Sequence, residues 1–300
     1  MQFRMWIDVY VDSEEKISKI LPPHMARKDT FIHKNKPIRR YYIDRKRPIV
    51  IIDNSVDIQR GMIESKFAKS LKKYGAIVIE YTHENFPVVI DNHMFLHGSI
   101  QFIESAKHTF CTNIEDGYFD FATIHSYYQS NMVSKTYKIV KYDSFIKNRQ
   151  NLEEEFGPDL FVKPLLPTKA ITGCVLPSGI PLDHHHYSRF RRWTRLDDSI
   201  ELIVSKPRQI YDEYRMIVIN GNIVAHSSYR INQKFDMDGI VPQDAIDFAK
   251  NMIEKYSPCK RFVIDVGCTD DGWKIVELNR FETSGLYNAN LDNISDAMLR

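Results

Sequence analysis

The 300-residue chain has few of the features that mark disulfide-rich, zinc-bound or membrane proteins. Its four cysteines show no CxxC spacing, so neither a disulfide framework nor a structural zinc site is expected. No apolar run approaches the roughly 18 residues needed to cross a bilayer, and no long apolar segment lies near the N-terminus. We therefore expect a soluble cytoplasmic protein that does not bind membranes.

The sequence also lacks a strong net charge, which is only +2 at pH 7. The exception is the segment 24–47, in which nine Lys or Arg stand against two Asp. Such a segment either contacts an acidic partner such as nucleic acid or is an ordinary solvated surface, and we favour the second interpretation. Because this region contains proline, we expect residues 21–47 to be irregular.

Familiar motifs for nucleotides and nucleophiles are missing as well. The chain contains no GxxxxGK[ST], no GxGxxG and no GxSxG pattern. A Walker-type or Rossmann-type nucleotide site is therefore not supported.

The order of apolar runs predicts a small α/β unit over residues 1–110, followed by further α+β structure. Its strands and helices are predicted, in chain order, at 3–11, 48–53, 57–74 (helix), 75–80, 88–90 and 100–107 (helix). The turn at 97–99 either binds an anion at a helix N-terminus or simply begins the helix.

The segment 261–279 predicts a β-hairpin, because two runs rich in Val, Ile, Phe and Trp flank a turn. If the loop is the three residues 270–272, with Gly272 left-handed, Thr269 pairs with Trp273. Counting back along both strands then fixes the register of the whole hairpin.

In that register Asp265 lies opposite Glu277, and Asn279 shares their face because side chains alternate along a strand. Like charges directly opposite each other are destabilising unless a cation lies between them. Carboxylates are the ligands that Mg²⁺ takes, together with phosphate oxygens. The alternative is a solvated edge hairpin with scattered acids.

A second hairpin is predicted around Asn220-Gly221, the strongest short hairpin signal. A two-residue turn pairs Ile219 with Asn222, which places Arg215 opposite His226. The polar groups of one face would then be Glu213, Arg215, His226, Ser228 and Arg230. So many polar groups beside arginines indicate a ligand-facing surface, and the alternative is a solvated sheet face with a Glu-Arg ion pair.

Two lysines between residues 160 and 170 also stand out. Lys163 lies between strand formers and before Pro164, so its ammonium needs either a phosphate or a neighbouring carboxylate. Lys169 follows in a loop that ends at Gly173. The arginine-rich segment 189–195 is either a mobile cover over an anionic ligand or an ordinary basic loop.

These pieces, in this order, resemble the ATP-grasp superfamily, and within it the clade named for two arginines and a lysine, which phages and large viruses often encode. The matching segments are Phe161–Pro164, Lys169–Gly173, Glu213–Arg215, Ser228–Arg230, Phe262–Val266, Glu277–Asn279 and Ser284–Tyr287. They cover residues 160 to 290. The resemblance implies an ATP-grasp fold in which residues 1–110 form a pre-grasp-like domain. Two α+β subdomains, at about 111–205 and 206–300, would enclose ATP between them.

The resemblance also implies residue roles and two bound species, ATP and Mg²⁺. Lys163 and Lys169 would contact phosphates, Leu202, Ile203, Val204 and Ser205 would bind adenine through backbone groups, and Glu213 would hold the ribose. Asp265, Glu277 and Asn279 would hold Mg²⁺. Arg215, Arg230 and Lys169 would be catalytic, stabilising the charge of the transferred group, which suits phosphoryl transfer. Many members carry an arginine two residues before the first metal-binding acid, where this chain has Val263.

The implied reaction joins a carboxylate to an amine through an acylphosphate. The substrates would be small molecules or peptides, and a phage or viral source would place the protein in a host cytoplasm. One alternative is a kinase that uses the same nucleotide site. Another is a non-catalytic module that holds a nucleotide or nucleic acid with residues 24–47 and 189–195. The intact acids of the predicted metal site weigh against a non-catalytic module.

Overall fold

The computed structural model describes residues 4–10, 26–33, 36–44, 48–53, 65–81, 94–103, 119–165, 173–179 and 200–300. Within these ranges the chain forms four β-sheets with helices packed on them, which confirms the predicted α+β fold class. No helix in the described ranges is long and apolar enough to cross a membrane.

The first sheet is antiparallel, in the order β1-β3-β2. Its strands are β1 (Arg4–Tyr10), β2 (Ala26–His33) and β3 (Lys36–Asp44). The predicted strand at 3–11 is confirmed, whereas the prediction that residues 21–47 are irregular is wrong. Strand formers such as Phe31, Ile32 and Ile38 are interspersed with the basic residues, and they favour a hairpin over an irregular loop.

The second sheet is parallel, in the order β5-β4-β6. Its strands are β4 (Ile49–Asp53), β5 (Ile77–Tyr81) and β6 (Met94–His97). Helix α1 (Lys66–Lys73) connects β4 to β5, and the Ser65 hydroxyl caps it by accepting amide hydrogen bonds. The strands predicted at 48–53 and 75–80 are confirmed, while the strand predicted at 88–90 lies outside the described residues.

The turn at 97–99 begins a helix that is described over residues 100–103. The backbone amide and the hydroxyl of Ser99 donate to the Asp53 carboxylate at 3.2 and 2.7 Å. An acid of the chain itself therefore takes the place of an external anion at this helix start.

The third sheet follows helix α2 (Phe121–Tyr128) and carries helix α3 (Tyr142–Phe156) on one face. It is antiparallel in the order β7-β10-β8-β9. Its strands are β7 (Lys138–Lys141), β8 (Leu160–Pro164), β9 (Cys174–Leu176) and β10 (Glu201–Ser205). Apolar side chains of α3, including Phe145 and Leu152, form a core with Leu160, Val162 and Leu202.

The fourth sheet has five antiparallel strands in the order β13-β12-β11-β14-β15. Its strands are β11 (Glu213–Ile219), β12 (Asn222–Ile231), β13 (Lys234–Phe235), β14 (Arg261–Thr269) and β15 (Gly272–Arg280). Helix α4 (Gln243–Lys255) lies between β13 and β14 in the chain, and helix α5 (Leu291–Leu299) is the last element.

The two faces of the fourth sheet are covered by different parts of the chain. Helices α4 and α2 pack on one face, in a core that includes Met216, Phe262 and Ile264. Helix α2 precedes the third sheet in the chain, within the range assigned from the sequence to the first subdomain. The other face shares a second core, which includes Ile217 and Val263, with β4, α1 and α5. Within the described ranges neither of these cores covers the rest of that second face, which carries polar side chains and is called the open face below.

Candidate active site

The open part of the second face carries the carboxylates predicted to bind metal. Asp265 on β14 pairs with Glu277 on β15, and Val263 pairs with Asn279, so the register predicted for Asp265 and Glu277 is confirmed. The amide nitrogen of Asn279 donates to Oε1 of Glu277 at 2.8 Å and to Oδ2 of Asp265 at 3.2 Å. The three side chains therefore converge on one patch of the sheet.

The tip of this hairpin differs from the prediction. Thr269 pairs with Gly272 and Cys268 with Trp273, so Thr269 does not lie opposite Trp273. Gly272 does adopt the predicted left-handed conformation, with φ of 82°. A β-bulge at Val276 adds one residue to β15, and this extra residue restores the predicted pairing of the two acids.

In the Asn220-Gly221 hairpin the predicted turn is confirmed, because Ile219 pairs with Asn222 and both turn residues have positive φ. The predicted pairing of Arg215 with His226 is wrong. A β-bulge at Val224 shifts the register by one residue, so that Arg215 pairs with Ser227, and a second bulge at Tyr229 places Glu213 opposite Arg230.

The bulges change which polar groups share the open face. Glu213 pairs with Arg230, so these two residues stay on the face of Arg215. His226 pairs with Met216, and Ser228 pairs with Tyr214, and both therefore point to the other face. The predicted set loses two of its members because bulges, which turn chemistry does not reveal, separate the turn from the site.

Arg215 makes an ion pair that links β11 to the predicted metal site. Its Nε and Nη2 donate to Oδ1 and Oδ2 of Asp265 at 2.8 and 2.7 Å. Burial alone would lower the pKa of Arg215, but the Asp265 carboxylate raises it above its ordinary value. For Asp265, burial and the neighbouring Glu277 raise the pKa, and Arg215 opposes them.

Glu213 lies beside this pair and is itself buried. Burial first, and then the Asp265 carboxylate, raise the pKa of Glu213 to about 8. Arg230 opposes this rise, but its Nη1 is 3.9 Å from Oε2 of Glu213 and its side chain is half exposed. Three carboxyl groups thus share this face with two arginines, and burial together with their mutual repulsion raises the pKa of both Glu213 and Asp265, which is the setting in which a cation is accommodated.

Lys163 reaches towards the same face from the third sheet. Burial lowers the pKa of its ammonium, and Glu277 opposes that change. The Nζ atom also lies 4.9 Å from the ring centroid of Phe121 on α2. The ring of Phe121 is itself buried.

The structure describes the surroundings of Lys163 but not Lys169, which lies outside the described residues with the rest of the loop 166–172 and the segment 189–195. Gly173 ends that loop directly against the stem of Lys163, because a Cβ atom there would lie 3.1 Å from Cβ of Lys163. Gly173, the first described residue after that loop, therefore lies beside Lys163.

Strand β10, whose backbone the resemblance assigns to adenine binding, is a central strand of the third sheet. Leu202, Ile203 and Val204 pair with β7 on one side and with β8 on the other. Their backbone groups are therefore used by the sheet, since each residue of a central strand bonds to its neighbours. Ser205 ends the strand and pairs with Phe161 of β8, whereas the segment directly after it belongs to no strand, so its backbone groups are not used by the sheet.

Two aromatic residues at this face were not predicted as part of the site. The guanidinium carbon of Arg215 lies 4.8 Å from the ring centroid of Tyr287 and 5.7 Å from that of Tyr229. The two rings stack with centroids 5.0 Å apart. Tyr287 belongs to the Ser284–Tyr287 segment that carried part of the resemblance, and this was the signal that could have identified it.

The donor set at Asp265, Glu277 and Asn279 fits a magnesium ion. Among the described residues no group of three His, Cys, Asp or Glu side chains is arranged to hold a metal. Two carboxylates and one amide are nevertheless sufficient for Mg²⁺, which completes its octahedral shell with phosphate oxygens and water. The side-chain amide of Asn279 would present its oxygen after a rotation that exchanges its nitrogen and oxygen atoms.

Comparison with solved structures shows that the chain has the ATP-grasp fold. D-cycloserine synthetase DcsG is 12% identical with a TM-score of 0.55, and the match covers 83% of this chain and 98% of the other. A RimK domain protein from Sphaerobacter thermophilus DSM 20745 is 9% identical with a TM-score of 0.52, covering 84% of this chain and 97% of the other. N5-carboxyaminoimidazole synthetase from Staphylococcus aureus is 13% identical with a TM-score of 0.50, covering 84% and 77%.

The sequence itself matches a narrower group. Residues 113–298 match the model of an ATP-grasp domain, family 3 of the clade named for two arginines and a lysine, and the chain belongs to this family. No curated protein sequence matches the chain. Val263, which stands where the resemblance implies an arginine in many members, is fully buried in the core that joins the fourth sheet to β4 and α1.

Proposed function

We propose that the protein is an ATP- and Mg²⁺-dependent ligase that joins a carboxylate to an amine through an acylphosphate. The observation that carries the proposal is the meeting of opposite charges across two sheets. Lys163 on the third sheet interacts electrostatically with Glu277 on the fourth, and Asn279 hydrogen-bonds to both Glu277 and Asp265. Belonging to an ATP-grasp family supports a nucleotide between these sheets.

In this proposal Lys163 binds a phosphate of ATP, and Lys169 adds a second ammonium from the loop beside it. Ser205 and the backbone after it hold the adenine. Glu213, whose carboxyl has a pKa of about 8 in the absence of nucleotide and metal, hydrogen-bonds the ribose. Asp265, Glu277 and Asn279 hold Mg²⁺, which would neutralise the phosphates and favour transfer of the terminal phosphoryl group.

The chemistry needs a carboxylate substrate that attacks the γ-phosphate and an amine that then displaces phosphate. Arg230, half exposed at the rim of the face, is placed to neutralise the transferred group or the acylphosphate. The substrates are proposed to be small molecules or peptides. A phage or viral source and a cytoplasmic location remain predictions from the resemblance.

The test is to incubate the protein with ATP, Mg²⁺ and pools of amino acids and peptides, and to follow phosphate release and product mass. Hydroxylamine is added in a parallel reaction, because it traps an acylphosphate as a hydroxamate. Glu277→Gln should abolish turnover, whereas Asp270→Asn removes a carboxylate at the tip of the same hairpin and should not.

Transfer of phosphate to a substrate without amine incorporation would favour the kinase alternative. Nucleotide or nucleic-acid binding without any turnover would favour the binding module. Phosphate release that requires both a carboxylate and an amine, with a hydroxamate formed in the parallel reaction, is the result expected of a ligase.

A further inference from the structure

We propose that Arg215 is a positioning residue that holds the Asp265 carboxylate and the Ser284–Tyr287 loop in place, and that it does not contact the transferred group. This role deepens the proposed function and rests on it. Arg215 was expected from the sequence to be catalytic beside Arg230. The two arginines make different contacts, and we therefore assign them different roles.

The donors of Arg215 point at the protein. Nε and Nη2 bond to the two oxygens of Asp265, and Nη1 donates to the backbone carbonyl of Gly285 at 3.0 Å. The side chain is only 8% exposed. Three of its five N–H groups are thus committed within the chain, and the guanidinium is not open to a ligand.

Aromatic rings close the remaining side of the guanidinium. Tyr287 and Tyr229 lie against it, and their rings stack on each other. Tyr287 has φ of 48°, and its ring packs on Gly285, where a Cβ atom would lie 3.3 Å from the ring. The loop therefore touches the guanidinium through both the carbonyl of Gly285 and the ring of Tyr287.

Arg230 has the opposite character. Its side chain is 50% exposed, and its only ion pair among the described residues is the long one to Glu213 at 3.9 Å. It therefore keeps donors for an anionic ligand at the rim of the site. Of the two arginines on this face, Arg230 is the one placed to meet the transferred group.

A lysine cannot replace Arg215 in the positioning role. The guanidinium bridges two carboxylate oxygens and a carbonyl in one plane, whereas an ammonium offers a single point charge. Without the bridge, Asp265 could turn away from Glu277 and Asn279. Residues that orient a metal ligand typically change metal affinity by about 10–100-fold when they are replaced.

The experiment measures binding rather than turnover. Affinity for the non-hydrolysable ATP analogue AMPPNP is determined by calorimetry with Mg²⁺ and with EDTA, for wild type, Arg215→Lys and Arg300→Lys. Arg215→Lys should lose about 10-fold or more of the Mg²⁺-dependent gain in affinity and keep its affinity in EDTA. Arg300→Lys replaces an exposed arginine that pairs with Asp296 at the end of α5, and it should match wild type in both affinities.

A full Mg²⁺-dependent gain in Arg215→Lys, together with a large loss of kcat, would overturn the proposal, since Arg215 would then act on the transferred group itself. If Arg215→Lys does not fold, Tyr287→Leu removes the ring that supports the guanidinium and keeps both charges. It should reduce the Mg²⁺-dependent gain, while Tyr287→Phe, which keeps the ring, should match wild type. An unchanged gain in Tyr287→Leu would contradict the role of the loop.

Failure of the proposed function can be told apart from failure of this inference. If wild type does not bind AMPPNP, the proposed nucleotide site is wrong. The Arg215–Asp265 pair is then tested by urea unfolding of Arg215→Met, Asp265→Asn and the double variant. Strongly non-additive losses of stability would show that Arg215 and Asp265 hold each other in place, because each residue then depends on the other. Additive losses would refute it.

Discussion

Glu213→Gln should make the protein less sensitive to alkaline pH in the absence of metal and nucleotide. The buried Glu213 carboxyl has a pKa of about 8 in the folded protein, against an ordinary value of 4.5. Between these two values the folded state binds more protons than the unfolded state. The stability that this group contributes is therefore complete below the ordinary pKa and is lost as the pH rises towards 8.

The size of the effect follows from that difference in pKa. Each pH unit between the two pKa values is worth at most about 1.4 kcal/mol, so raising the pH from about 6 to about 8 costs at most about 3 kcal/mol. Arg230 can move closer as Glu213 ionises, because its side chain is half exposed. We expect about 1.5–2 kcal/mol of this loss to remain, and Glu213→Gln to abolish it.

The assay is urea unfolding followed by tryptophan fluorescence at several pH values, in EDTA and without nucleotide. Glu201→Gln, which removes an exposed carboxylate on β10, is the matched control and should follow wild type. Equal loss of stability with pH in wild type and Glu213→Gln would show that Glu213 is not a protonated carboxyl in a crowded acidic patch. The electrostatic account of the open face would then be wrong.

Three further substitutions test the remaining site residues. Lys163→Ala should weaken ATP binding by about 10-fold or more, which corresponds to the loss of one hydrogen bond to a charged group. Calorimetry measures the affinity and thermal unfolding the stability, and a loss of stability with unchanged affinity would mark Lys163 as structural. Glu277→Gln should remove ATP turnover and change the free energy of unfolding by less than about 1 kcal/mol; a collapse of stability would mark it as structural. Arg230→Lys should lower kcat by about 10²-fold with little change in the KM for ATP, and wild-type turnover would exclude it from the chemistry.

The parts of the site that local sequence signals specify were predicted correctly. The Asn220-Gly221 turn and the facing pair Asp265 and Glu277 follow from turn chemistry and from the alternation of side chains. The second of these agreements depended on two features that cancel, since the tip pairs differently and the bulge at Val276 restores the register.

The missed parts depend on contacts between distant segments. The bulges at Val224 and Tyr229 alter the register in ways that no turn residue signals. Arg215 and Asp265 are 50 residues apart in sequence and meet only because β11 and β14 are neighbours in the sheet. A sequence shows two charged residues in separate strands, but it does not show which strands lie side by side.

The core shared by β4, α1 and the fourth sheet has a consequence for how the family domain can be handled in isolation. The family match begins at residue 113, yet Ile217, Val263 and Phe281 share their core with side chains that precede it, such as Phe67 and Leu71. A fragment cut at the start of the match would leave this apolar surface bare. Uncovered patches of this kind promote association, so we expect such a fragment to aggregate. The smallest autonomous unit must therefore include residues 48–81 as well as the matched domain.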